Sequence, residues 1–117
     1  MVVGVLRLSY SLPGNATLKG KRQIVRRIVD RTRNRFNAAV AEVDVLDEPR
    51  RAVLGVTVVS NEGGHANSML DQIRSFTQGL TEAVLVDSRL DLIPVGALEH
   101  ALDGGEGYES ANWREDR

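Results

Sequence analysis

Hydrophobic periodicity alternates along this chain between two residues and about 3.6 residues per repeat, and the order of those switches limits the fold most. From Val2 to Leu12, the residues Leu6, Leu8, Tyr10 and Leu12 share one parity and Val3, Val5, Arg7, Ser9 and Ser11 the other, which predicts a strand. Pro13 and Gly14 break it. The apolar residues Leu18, Ile24, Val25, Ile28, Val29 and Phe36 then share one side of a helix, with Asn15 or Thr17 as its cap. Asn37 to Val45 reads as a second strand, with Ala39, Ala41, Val43 and Val45 on one face and Val40, Glu42 and Asp44 on the other. Asp47, Glu48 and Pro49 turn the chain into Arg51 to Ser60, the clearest strand and rich in β-branched residues. A second helix is expected from about His65 to Leu80, where Ala66, Met69, Leu70, Ile73, Phe76 and Leu80 recur at helical spacing. A last strand covers Val84 to Leu92 and stops near Pro94.

The order β-α-β-β-α-β, with short links and right-handed crossovers, predicts an α+β, ferredoxin-like split sandwich: an antiparallel sheet with both helices on one face. A chain of 117 residues holds one domain of this kind. Residues 1–97 are assigned to it, and residues 98–117, polar and without periodicity, to a flexible tail that contains Tyr108 and Trp113. Such a sheet has a second, uncovered face. On its two central strands that face carries Val3, Val5, Val53 and Val59 beside Arg7 and Thr57, more apolar surface than a monomer usually leaves in water. A homo-oligomer that covers these four valines is therefore expected.

Charge is distributed very unevenly. Residues 1–36 hold nine Lys or Arg against a single acid, Asp30, while the remainder of the chain is strongly acidic, so a net charge of −1 conceals two opposed halves. Eight of the cations, Lys19, Lys21, Arg22, Arg26, Arg27, Arg31, Arg33 and Arg35, fall on the first helix. Lys19, Arg22, Arg26 and Arg33 line one flank of its apolar face, and Arg27, Arg31 and Arg35, spaced four apart, line the outer side. Like charges at that spacing repel, so an anionic neutraliser is expected. Phosphates of structured RNA suit guanidinium groups, through bidentate hydrogen bonds and counterion release. The competing reading has Glu42, Asp44, Asp47 and Glu48, in the same chain or in a neighbouring subunit, act as counterions. Recognition of single-stranded RNA on the sheet is not expected, because Tyr10 faces the helices and Phe36 and Phe76 occupy helical core positions. What remains is helix-mediated contact with phosphate, without DNA specificity.

Other chemistry finds little support in the sequence. The stretch Ser11 to Lys21 joins a strand to a helix with two glycines and two lysines, an arrangement able to cradle an anion, but Gly14 and Gly20 are wrongly spaced for a nucleotide-binding loop and Arg22 follows Lys21. His65 and His100 are the only histidines and there is no cysteine, so neither a metal nor a cofactor is expected. No serine lies in a nucleophile motif. Glu42 and Asp44 share a predicted strand face, yet carboxylates that answer the basic helix explain them better than an acid–base pair. No catalytic constellation emerges. No apolar run reaches the roughly 18 residues of a membrane span, and Arg7 interrupts the first apolar stretch with no cleavage-like sequence after it, so a cytoplasmic protein is expected.

Four segments together carry a resemblance. They are the start Met-Val-Val-Gly-Val-Leu-Arg-Leu; Thr17 to Arg22 followed by Val25, Val29, Arg31 and Arg35; Phe36 to Val43; and Gly55 to Ser60. In this order and spacing the chain, from Val2 to about Pro94, resembles the small bacterial YlxP-like family, a domain of unknown function. It departs from the family pattern at Asn15-Ala16-Thr17, where a His-Ser pair is more usual, and at Ala38-Ala39 in place of Val-Ser. The resemblance implies a ferredoxin-like sandwich and genes that often lie beside translation-initiation and ribosome-maturation factors. It brings no activity and no catalytic residues. The functional expectation is a non-enzymatic accessory protein that touches ribosomal or other structured RNA through the eight cations of the first helix. The alternative is a structural or regulatory homo-oligomer whose basic helix pairs with acidic protein surface.

Overall fold

The structure, a computed structural model, describes residues 1–96. The elements are β1 (Val2–Ser11), α1 (Leu18–Arg35), β2 (Ala39–Val43), β3 (Arg51–Ser60), α2 (Gly63–Thr77) and β4 (Val84–Pro94). The strands form one sheet in the order β2-β3-β1-β4, every neighbouring pair antiparallel. This is the ferredoxin-like α+β arrangement predicted from the element order. The tail assigned to residues 98–117, with Tyr108, Trp113 and His100, lies outside the described residues.

The core follows the strand parities. Leu6, Leu8, Tyr10 and Leu12 of β1 and its end, with Ala52, Leu54, Val56 and Val58 of β3 and Val40 of β2, meet Ile24, Val25 and Ile28 of α1 and Ala66, Leu70 and Ile73 of α2. α2 packs on β1, β3 and β4, and α1 lies over β2. Close approach of α2 requires Gly4: a Cβ there would come within 2.8 Å of Leu70 Cδ1 and 3.3 Å of Val58 Cγ2. Inside the core the Tyr10 hydroxyl donates to Thr77 Oγ1 at 2.8 Å, and Thr77 donates in turn to the Arg74 carbonyl at 3.0 Å.

Burial raises the Tyr10 pKa above its ordinary value of 10.0, the hydrogen bond with Thr77 opposing this to a smaller degree. A raised pKa means that the unfolded chain gives up this proton first. The stability tied to Tyr10 is therefore complete below the ordinary tyrosine pKa and is lost as pH rises through the higher value of the folded state. Urea midpoints measured from neutral to strongly alkaline pH should fall above that threshold. Tyr10→Phe should flatten this part of the fall and cost about 1 kcal/mol at neutral pH, because Thr77 loses its partner.

The bounds of three elements, β2, α2 and β4, differ from the sequence expectation. β2 ends at Val43 because Asp44 adopts a left-handed conformation, φ 56°. That turn also separates Asp44 from Glu42, so the two carboxylates do not share a face. Glu42 points to Lys21 of α1 and Asp44 to Arg7 on the opposite face. α2 begins two residues before His65 and ends at Thr77, because Gly79, φ 81°, reverses the chain and leaves the half-buried Leu80 outside the helix. β4 runs on to include Pro94, which an edge strand accommodates.

The face away from the helices also departs from expectation. Val59 is 62% exposed, and Val3 and Val5 are half-buried, but Val53 has no exposed surface and does not belong to the core between sheet and helices. Val53 stands between Ser9 and Val43 in the sheet register. Nearby, Arg7 donates to Asp44 Oδ2 from Nη2 at 3.1 Å and Nε at 3.3 Å, and to Ser9 Oγ at 3.4 Å. To reach Asp44 from β1 the guanidinium must cross β3, where its register partner is Gly55, a position without a side chain to obstruct it. Val53 is thus enclosed within the chain and is not available to an oligomer interface.

Candidate functional site

The first helix is built from its cap inward. Thr17 is the N-cap, its Oγ1 accepting the Gly20 N–H at 3.0 Å while its carbonyl accepts the Lys21 N–H at 3.1 Å. Asn15 supports this turn instead of capping it: its Nδ2 donates to the Thr17 carbonyl at 2.7 Å and to the Pro49 carbonyl. Its Oδ1 lies so close to Gly20 that a Cβ there would overlap it. The loop is therefore filled by its own polar groups. A cavity of about 260 Å³ beside it is lined by Leu12, Pro13, Gly14, Asn15, Ile24 and Glu82, whose carboxylate opposes an anion. Thr17 capping and Glu82 together argue against a phosphate cradle at Gly14 to Lys21.

The eight cations separate into three groups. Lys21 is only 1% exposed and stands in the interior, so it is withdrawn from the binding surface. Its Nζ donates to the carbonyls of Val45 at 2.9 Å, Leu46 at 3.1 Å and Arg51 at 3.2 Å, and stands 2.9 Å from Glu42 Oε2. An ammonium has three protons. The three carbonyls use them, so the carboxylate contributes charge without an aligned hydrogen bond, and Glu42 Oε2 accordingly has no hydrogen-bond partner. This arrangement ties the first turn of α1 to both ends of the β2–β3 connection.

Arg33 and Arg35 are exposed but engaged. Arg33 Nη2 donates to the Val40 carbonyl of β2 at 2.8 Å. The Arg35 guanidinium lies 5.0 Å from the Phe76 ring centre and 5.8 Å from that of Phe36, and the two rings meet edge to face at 5.4 Å. Both phenylalanines are half-buried, Phe36 packing against the core as expected and Phe76 standing outside it, and with Arg35, Asp71, Gln72 and Ser75 they border an open hollow of about 440 Å³.

The third group is Lys19, Arg22, Arg26, Arg27 and Arg31. All five are exposed, and among the described residues none of them forms an ion pair or a side-chain hydrogen bond. The acids expected to answer them are used elsewhere or stand apart. Glu42 serves Lys21, Asp44 serves Arg7, and Asp47 and Glu48 are exposed without ion pairs among the described residues. Asp30, exposed on the same helix, forms no ion pair among the described residues, so α1 carries a cationic surface whose five cations are unpaired within the described part of the chain.

The sequence profile of a family described as "Protein of unknown function (DUF503)" matches residues 3–90, the whole sheet and both helices up to the middle of β4. The chain belongs to the DUF503 family. Within it, this DUF503 protein is similar to the uncharacterized protein YlxP of Bacillus subtilis (strain 168), at 29% identity over 66 residues, covering 56% of this chain and 72% of that protein. The YlxP-like resemblance is thus secured, and the α+β fold rests on the element order and strand pairing. Among the described residues of this DUF503 member, no three His, Cys, Asp or Glu side chains converge as a metal site needs, and no helix is long and apolar enough to cross a membrane.

One functional grouping had a signal in the sequence that charge counting obscured. Lys21 precedes Ile24, Val25, Ile28 and Thr32 by three, four, seven and eleven residues, which places it on the buried stripe and off both cationic flanks. The partnership of Arg7 with Asp44 had no such signal, because it depends on the left-handed Asp44.

Proposed function

We propose that this chain is a cytoplasmic, non-enzymatic accessory protein that holds ribosomal or other structured RNA on the exposed face of α1. Lys19, Arg22, Arg26, Arg27 and Arg31 supply the phosphate contacts. The observation that carries this reading is that none of these five cations forms an ion pair among the described residues, with Asp30 the one acid on the same helix. On an isolated helix, like charges at i,i+4 destabilise by a few tenths of a kcal/mol per pair, and phosphate relieves that repulsion while releasing counterions from the RNA. Arg33 and Arg35 add to the local potential but hold Val40 and Phe76, so they shape the surface more than they bind.

The test is binding of labelled ribosomal RNA fragments across a salt series. About four phosphate contacts should give a log–log slope of roughly −3. Arg22→Glu/Arg26→Glu/Arg31→Glu, which spares the engaged arginines, should abolish binding while circular dichroism stays unchanged. A flat salt dependence, or a folded triple variant that binds as well as the parent, would exclude this function.

A further inference from the structure

The two edges of the sheet are finished differently. β2 has five residues, and its Val40 carbonyl is taken by Arg33. β4 has eleven residues, and among the described residues no strand pairs with its outer edge. Four of the large apolar side chains most exposed to solvent, Val84, Val86, Leu92 and Ile93, lie on β4. A long open edge of this kind is a template for another strand, and proteins commonly protect it by bulges, proline or charge. β4 carries all three, but their placement selects a partner more than it repels one. The register shift near Val86 and the proline at position 94 leave Asp87 to Ile93 regular between them. The charges on its open face alternate in sign, Asp87, Arg89, Asp91.

We propose that the β4 edge pairs with the β4 edge of a second copy of this chain, about a two-fold axis at Leu90, to give one continuous eight-stranded sheet. An axis normal to the sheet makes the pairing antiparallel and sets residues of like facing directly opposite one another. Centred on Arg89, the pairing would oppose arginine to arginine and Asp87 to the partner's Asp91. Centred on Asp91, it would oppose two aspartates. Centred on Ser88, it would match Arg89 with Asp87 but would have to run through the register shift near Val86. Centred on Leu90, it places each Arg89 against the partner's Asp91, twice over, and on the helix side sets Leu90 against its own copy and Leu92 against the partner's Ser88. Charge complementarity thus picks a second copy as occupant and fixes the register.

The edge is a better site than the open face, because Val53 is enclosed and Val3 and Val5 are already half-buried. The axis also keeps both copies of α1 on one side of the joined sheet, so two cationic helices face the same way. The assembly does not depend on RNA binding.

The full chain is examined by sedimentation equilibrium. The parent should dimerise in the micromolar range, and Arg89→Asp or Asp91→Arg alone, each replacing two attractive contacts by two repulsive ones, should weaken the dimer roughly tenfold or more. Arg89→Asp/Asp91→Arg together should restore it. Because the chain has no cysteine, Leu90→Cys should give a disulfide-linked dimer under mild oxidation, and Val59→Cys on the open face should not. A parent that stays monomeric, a dimer indifferent to the single reversals, or cross-linking through position 59 in place of 90 would each overturn the proposal.

Discussion

Lys21→Met is expected to lower the unfolding free energy by about 3 kcal/mol, seen as a lower urea midpoint with an unchanged slope. Methionine keeps an apolar stem of similar length, so the loss isolates the ammonium. Without it, the carbonyls of Val45, Leu46 and Arg51 lose their donor and Glu42 keeps a charge with no partner. Breaking a buried pair by removing one member typically costs about 3 to 5 kcal/mol. Glu42 retains 17% of its side-chain exposure, so water relieves part of its charge, and the lower end applies. Glu42→Gln should cost less, about 1 kcal/mol, because the three carbonyls still hold the ammonium. The Lys21→Met/Glu42→Gln double variant should cost less than the sum of the two. A Lys21→Met protein that unfolds at the parent's urea concentration would show that the ammonium contributes nothing. The consequence reaches the surface, since this contact sets the start of α1 and hence the direction of its arginines.

Gly4→Val should cost about 3 kcal/mol, at the upper end of what overpacking usually produces. The strand conformation itself favours valine, so a local propensity argument would predict the opposite sign. The Cβ alone would reach 2.8 Å from Leu70 Cδ1, and valine's two further methyls would be driven toward Ala66 and Val58, whose nearest atoms stand 3.5 and 3.3 Å from that Cβ. Gly4→Ala should be tolerated far better, since the closest atom is the end of a leucine that can shift. Combining Gly4→Val with Leu70→Ala should recover part of the loss, and urea melts of the four proteins in the cycle measure that coupling. If Gly4→Val were neutral, α2 would not lie as close to β1 as described.

The element order and most of the core were legible because they depend on local repetition. Alternation in β1 and β3 marks the residues that face the helices, and the spacing of Ile24, Val25 and Ile28 marks the stripe that meets them. Element ends were less legible. Asp44 and Gly79 both terminate elements by adopting positive φ, and the apolar pattern continues past each to Val45 and Leu80. Among the site residues, a count of positive charge gave Lys21 the same weight as its neighbours, although its helical position already separated it from them.

The β-α-β-β-α-β order, the faces of the central strands and the concentration of cations on α1 follow from local pattern alone, because side-chain direction in a helix or strand repeats with the backbone. What the packing of the elements supplied is the set of partners that allows one of those charges to be buried. Lys21 is drawn inward because three carbonyls released by the β2–β3 connection converge on it. Val53 is enclosed on the face where Arg7 reaches across β3 to Asp44. Both outcomes bring together groups distant in sequence, and their positions are set by how the elements pack, which no local period records.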